Sequence, residues 1–72
     1  MEIKLAAIKR LINTGAARDV SNDASARRPL NYTNVFYSVG RNGLNGLVTR
    51  DDDTGELFAI VGRCSALFMW AY

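Results

Sequence analysis

The 72-residue sequence contains no histidine, one cysteine and one proline. Without histidine, acid–base catalysis at neutral pH loses the side chain that most often performs it. A single thiol forms no disulfide within the chain, and one thiol without histidine is too few ligands for a structural zinc site. We therefore predict a protein that is not an enzyme and that binds no metal and no cofactor.

Long apolar runs are also missing. The longest, Ala66–Tyr72, is far too short to span a bilayer as a helix. Near the N-terminus, Lys4, Lys9 and Arg10 interrupt the apolar residues, unlike the pattern of a signal peptide. The free thiol of Cys64 is typical of a reducing compartment. We expect a cytoplasmic protein with no membrane partner.

Two motifs look like ligand sites, but both have the wrong spacing. The acidic run at 51–53 lacks the alternating ligands of a calcium loop, and we interpret it as a solvated hairpin tip. Gly40, Gly43 and Gly46 are three residues apart, and the run enters a strand rather than a helix. This excludes both the P-loop and the dinucleotide fingerprint. It predicts instead a type I′ hairpin turn at Asn42-Gly43.

The composition, 49% hydrophobic and 22% charged, is that of a folded globular domain. Apolar residues of 2–14 fall on one side of a helix, and Gly15 suits its C-terminal end. Small and polar residues then predict a long connection. The single domain 1–72 thus divides into a helical segment (1–14), a connection (15–29) and a sheet (30–72).

The sheet segment contains β-branched and aromatic runs separated by turn residues. The four predicted strands are Leu30–Val39, Gly46–Arg50, Glu56–Val61 and Cys64–Tyr72, and a helix is the alternative for the last of them. The fold class is therefore α+β, with one N-terminal amphipathic helix packed on a four-stranded antiparallel β-meander. The turns predict these cross-strand pairs: Tyr37–Val48, Ser38–Leu47, Thr49–Phe58, Leu47–Ile60, Val61–Cys64 and Ala59–Ala66.

Both faces of this predicted sheet are apolar. One carries Val48 and Ala59 among others, and the opposite one carries Leu47, Phe58 and Ile60. One helix covers only one face, so the other would meet water in a lone chain. Covering several such side chains contributes several kcal/mol. We therefore predict self-association into a homodimer or higher oligomer.

Charge is distributed unevenly along the chain. Residues 1–28 hold six Lys/Arg and three Asp/Glu, or +3, and residues 29–72 hold three and four, or −1. One hypothesis is a non-enzymatic protein-interaction module or inhibitor, similar in size and style to small viral or mobile-element inhibitors. The alternative is an oligomeric binder or sponge of an anionic ligand, such as a nucleotide or short nucleic acid. The candidate ligand-binding residues are Arg18, Arg27, Arg28, Tyr32, Tyr37, Arg41 and Arg50.

Overall fold

A computed structural model describes residues 1–23 and 27–62 and has one helix packed on a four-stranded sheet. The elements are α1 (Leu5–Asn13), β1 (Ala17–Asp19), β2 (Tyr32–Gly40), β3 (Gly43–Asp51) and β4 (Leu57–Val61). The predicted α+β class is confirmed. The predicted strand Cys64–Tyr72, its pairings with β4 and the state of the thiol lie outside the described residues.

The helix begins at Leu5 rather than at residue 2, because residues 1–3 pair with the edge of β2. Ile3 N–H donates to Tyr37 O at 2.8 Å, and Tyr37 N–H donates to Met1 O at 3.0 Å. This short parallel bridge takes the first residues out of the helix. At the other end, Gly15 has a φ of +80°, a conformation suited to the glycine after a helix.

Helix α1 crosses the whole sheet and contacts all four strands. Nine residues rise about 13 Å, close to the width of four strands spaced about 4.8 Å apart. Gly46 allows this close packing, since a Cβ there would lie 2.9 Å from Ile8 Cδ1 and 3.0 Å from Leu5 Cδ1. Beneath the helix, the buried core consists of Ile8, Ala17, Val48 and Ala59.

The first strand lies in the region predicted as a connection. β1 pairs in parallel with β4, which gives the mixed strand order β1-β4-β3-β2. Val20 N–H donates to Ala59 O at 2.9 Å, and Val61 N–H donates to Ser21 Oγ at 2.8 Å, so the pairing continues beyond β1. The predicted purely antiparallel meander is therefore wrong. A three-residue strand is too short to display a period of two, and the helix carries the chain across to this edge.

The pairing of β3 with β4 follows the predicted register, and the pairing of β2 with β3 does not. Thr49 lies opposite Phe58 and Leu47 lies opposite Ile60, as predicted. Tyr37, however, lies opposite Leu47 instead of Val48, and Ser38 lies opposite Gly46 instead of Leu47. The prediction was wrong by one residue because the central turn residues are Arg41 and Asn42 instead of Asn42 and Gly43, which shifts the pairing by two, and one extra residue in β3 reverses half of that shift.

The pairing of β2 with β3 contains two register shifts. One leaves Val35 as the extra residue between the paired residues Asn34 and Phe36 of β2, and the other leaves Asn45 as the extra residue of β3. Such bulges alter which residues share a face. Consistent with this, Val35 and Phe36, which are consecutive, both pack on the helix side of the sheet.

The tip of this hairpin also differs from the predicted type I′ turn at Asn42-Gly43. Gly40 pairs with Gly43, so the two central residues are Arg41 and Asn42. Neither of them has a positive φ; Gly43 does, at +110°. A positive φ on the residue after the turn is typical of a hairpin closed by a glycine bulge.

The sheet face opposite α1 is buried within the single chain. Val20, Leu47, Phe58 and Ile60 form its core, with Tyr37 and Leu44 packed partly buried against them. The expectation that these large side chains would meet water in a lone chain is therefore not met. Self-association stays a prediction, but an uncovered sheet face no longer supports it.

Candidate functional site

Arg18, a predicted ligand residue, lies on β1 and already has two partners. Its guanidinium lies over the Phe58 ring, 4.8 Å from the ring centroid. Its Nε lies 3.7 Å from Glu56 Oε1, with both side chains largely exposed. An exposed ion pair of this length contributes little stability, so the arginine remains accessible to a ligand.

Arg28 and Tyr32 form a second pair at the opposite edge of the sheet. The Arg28 guanidinium lies 5.1 Å from the centroid of the Tyr32 ring. Tyr32 begins β2, which is three strand spacings, or about 14 Å, from β1 and Arg18. Arg27, the adjacent cation, is exposed. The arginines predicted for one pocket thus lie at two separate edges.

Arg50 belongs to a polar network at the β3–β4 turn. Its Nε donates to Asp52 Oδ1 at 2.9 Å, and Thr33 Oγ1 donates to Asp52 Oδ2 at 2.8 Å. The pKa of Asp52 is lower than its ordinary value, mainly because of the hydrogen bond from Thr33 and next because of the hydrogen bond from Arg50. Within residues 1–23 and 27–62, no group of three or more histidine, cysteine, aspartate or glutamate side chains is arranged to hold a metal ion.

The remaining candidates, Arg41 and Tyr37, lie elsewhere. Arg41 is exposed at the β2–β3 turn, at the far end of β3 from Arg50, or about 25 Å away along the nine-residue strand. Tyr37 is half-buried on the sheet face opposite the helix. The described geometry does not gather the seven residues into one pocket, so the anionic-ligand site stays a prediction.

One concave surface lies along α1. A cleft of 380 Å³, here called the α1–β2 cleft, lies beside the helix and is predominantly apolar. Ala7 and Leu11, four positions apart, lie on the same side of α1, and Ile3, which precedes the helix, lines the same cleft. The cleft is lined by Ile3, Ala7, Arg10, Leu11, Thr14 and Phe36.

The exposed surface of α1 and of the residue before it carries three cations. Lys4, Lys9 and Arg10 are exposed, and none of them forms an ion pair with another described residue. Glu2 is the one acidic residue in the first 18 positions of the chain. Of the three cations, Arg10 lines the α1–β2 cleft, and Lys4 and Lys9 do not.

A second cleft of 440 Å³, here called the helix-start cleft, lies where α1 begins. It is equally polar and apolar, and it includes Asn45, whose Oδ1 is buried without a hydrogen-bond partner in the described part of the chain. Its lining residues are Glu2, Ile3, Lys4, Leu5, Ser38, Val39 and Asn45.

None of the seven predicted ligand residues lines either of these two clefts. Sequence reasoning missed the clefts because both depend on the pairing of residues 1–3 with β2 and on bulges in the β2–β3 hairpin. One signal was available: Ala7 is a small residue on the apolar side of an amphipathic helix, where it leaves space between Ile3 and Leu11.

No protein-family model, curated protein or solved structure matches this chain. In the ranges that the structure describes, no helix has the length and apolar character needed to cross a membrane.

Proposed function

We propose that this protein is a non-enzymatic protein-interaction module that binds a partner segment in the α1–β2 cleft. The segment carries apolar side chains that enter the cleft and acidic side chains that face the cations of α1. The observation that carries this proposal is an apolar cleft beside α1 whose lining includes one cation, Arg10, without an ion-pair partner among the described residues.

The apolar part of the cleft supplies the affinity. Ile3, Ala7 and Leu11 line the cleft together with Phe36 of β2. Ala7 is the small residue among them, so a partner side chain fits above it. Burying one large apolar side chain contributes about 1.5–3 kcal/mol, and two or three such anchors suffice for a specific contact.

The positive charge of the helix surface determines which partners are preferred. Arg10 lines the cleft itself, while Lys4 and Lys9 are exposed elsewhere on the helix surface. Charge complementarity of this kind increases the rate of association and disfavours basic partners. It favours an acidic segment over a neutral or basic one, and it predicts binding that weakens with added salt.

The test begins with a random peptide library displayed on phage and selected against the immobilised protein. We expect enriched peptides that combine large apolar residues with Asp or Glu. Affinity for a labelled enriched peptide is then measured by fluorescence anisotropy. Ala7→Gln should weaken binding at least tenfold, because the longer polar side chain fills the cleft.

Ala6→Gln is the matched control, since Ala6 is exposed, lies next to Ala7 on the same helix and does not line the cleft. Glutamine is a good helix former, so both variants keep the helix. Ala6→Gln should leave the affinity within about twofold of wild type. Failure to enrich peptides, or equal losses in the two variants, would exclude the α1–β2 cleft as the docking site.

A further inference from the structure

The β2–β3 hairpin contains the tripeptide Asn-Gly-Leu twice in succession, at Asn42–Leu44 and at Asn45–Leu47. An asparagine followed by glycine is open to intramolecular attack, in which the backbone nitrogen of the glycine attacks the side-chain carbonyl carbon. Glycine favours this attack because it has no Cβ to block the approach and permits backbone conformations that other residues resist. The local sequence therefore makes Asn42 and Asn45 chemically alike, and only the fold distinguishes them.

Asn42 lies at the exposed tip of the hairpin. It is one of the two central turn residues, and Arg41 and Gly43 on either side of it are exposed as well. A Cβ built on Gly43 would meet no atom within 4 Å beyond its chain neighbours, so the space beside the attacking residue is open. Within residues 1–23 and 27–62, no hydrogen bond holds the carbonyl or the side chain of Asn42. The tip is therefore free to adopt the geometry that ring closure needs.

Asn45, in contrast, is held by the surrounding fold. Its backbone carbonyl accepts a hydrogen bond from Gly62 N–H at 2.9 Å, which fixes the peptide unit that contains the Gly46 nitrogen. Gly46 itself is buried where α1 packs on the sheet. The side-chain amide of Asn45 lies against Gly40, with Nδ2 2.6 Å from the position of a Cβ built there. Attack at Asn45 therefore requires local opening of the hairpin.

We propose that Asn42 is a site of spontaneous deamidation and that the fold protects Asn45 from the same reaction. The backbone nitrogen of Gly43 forms a bond to Asn42 Cγ, the bond between Cγ and Nδ2 breaks, and ammonia leaves with the proton of the Gly43 N–H. Water then opens the resulting five-membered imide at either of its carbonyl groups, which gives aspartate or isoaspartate. Water is the only co-reactant, and no group is oxidised or reduced.

Either product changes the tip of the hairpin. A carboxylate appears next to Arg41, and this negative charge lowers the formal net charge of the chain from its value of +2. In isoaspartate the main chain passes through Cβ, so the turn between Gly40 and Gly43 becomes one carbon atom longer. Asn42 lines neither the α1–β2 cleft nor the helix-start cleft, so this inference does not depend on the proposed docking function.

The test is incubation of the folded chain in a mildly alkaline buffer made with H₂¹⁸O. Samples taken over time are analysed by mass spectrometry with electron-transfer fragmentation, which locates the added ¹⁸O and separates isoaspartate from aspartate. We expect Asn42 to convert at least about tenfold faster than Asn45, because Asn45 reacts only in molecules whose hairpin has opened. Equal rates at the two residues, a faster rate at Asn45, or no conversion at Asn42 would overturn the proposal.

The same incubation in guanidinium chloride is the control for the role of the fold. In the unfolded chain the two rates should agree within about threefold, because both asparagines precede Gly-Leu. A tenfold preference for Asn42 that persists there would show that local sequence sets the difference, and it would contradict the protection of Asn45. Asn42→Gln, at an exposed position, should remove the fast conversion of the folded chain, because glutamine must close a larger ring. Fast conversion that remains in this variant would contradict the assignment to Asn42.

Discussion

The β2–β3 and β3–β4 hairpins share a strand but differ in regularity. β3 and β4 form five consecutive pairs without a register shift, and Asp51 N–H donates to Glu56 O at 2.9 Å where the turn begins. β2 and β3 contain two shifts. The regular hairpin is determined by its own turn residues, whereas the irregular one also adapts to segments that pack against it.

Those segments are the N-terminal residues and α1. The Met1 amino group donates to Val35 O at 2.9 Å, beside the first shift, and α1 packs on Gly46, next to the second. Both clefts include residues of the irregular hairpin, Phe36 in one and Ser38 with Asn45 in the other. Bulges often occur near binding sites because they redirect side chains.

The largest effect is expected at Gly46, where the helix meets the irregular hairpin. Gly46→Val adds three carbon atoms, and the first of them, the new Cβ, would already lie within about 3 Å of Ile8 Cδ1 and Leu5 Cδ1. Overpacking of this kind lowers the free energy of unfolding by about 2–3 kcal/mol. Urea denaturation followed by circular dichroism measures the loss.

A double-mutant cycle tests whether the helix is responsible. Ile8→Ala removes three carbon atoms from the fully buried Ile8 and is destabilising alone. In the double variant, the space left by Ile8→Ala accommodates the side chain added by Gly46→Val. The loss in the free energy of unfolding should therefore be smaller than the sum of the two single losses by at least about 1 kcal/mol. Simple additivity would show that α1 does not rest on Gly46.

A smaller effect is expected where β1 supports the regular hairpin. Val20 is 1% exposed, and Val20→Ala should lower the free energy of unfolding by about 1.5 kcal/mol, from lost burial and the cavity left behind. Val39→Ala is the matched control, because Val39 is 51% exposed on the irregular hairpin, and it should cost less than about 0.5 kcal/mol. Thermal or urea unfolding of both variants is the measurement. Equal losses would contradict the position of β1 against β4.

The smallest effect concerns the polar network at the regular end. Because the pKa of Asp52 is lowered in the folded protein, its ionised form stabilises the fold above the unfolded pKa of about 3.9. This contribution is lost as the pH falls through the lower folded pKa. Thr33→Val removes the main cause and should raise the pKa of Asp52 toward its ordinary value, as followed by ¹³C NMR of the carboxyl.

Thr14→Val serves as the control for that titration. Thr14 Oγ1 donates to Arg10 O at 3.0 Å at the end of α1, away from the β3–β4 turn. The titration of Asp52 should therefore be the same as in wild type. A shift of equal size in both variants would mean that the hydrogen bond from Thr33 does not set the pKa.

How much the sequence predicts differs between the two hairpins. The period-two pattern and the acidic turn were enough for the pairs Thr49–Phe58 and Leu47–Ile60, and the amphipathic pattern was enough for α1. The strand β1 was missed because three residues pair with a strand about forty positions away, and the sequence holds no local signal of that contact. The bulges at Val35 and Asn45 were missed for the same physical reason.

The candidate sites were harder to predict than the fold. The seven Arg and Tyr candidates were chosen by residue type, and such a choice carries no information on which strand edge each residue occupies. Ser38 and Asn45 attract no attention as residue types, and they line the helix-start cleft only because the β2–β3 hairpin and residues 2–5 meet in the fold.

The central claim is that the α1–β2 cleft is the docking surface. The most direct measurement is an NMR titration of the ¹⁵N-labelled protein with the acidic, apolar peptide selected from the library. The account predicts that the largest shifts occur at Ile3, Ala7, Leu11 and Phe36. Largest shifts at the β3–β4 turn, residues 52–55, with those four signals unchanged, would contradict it.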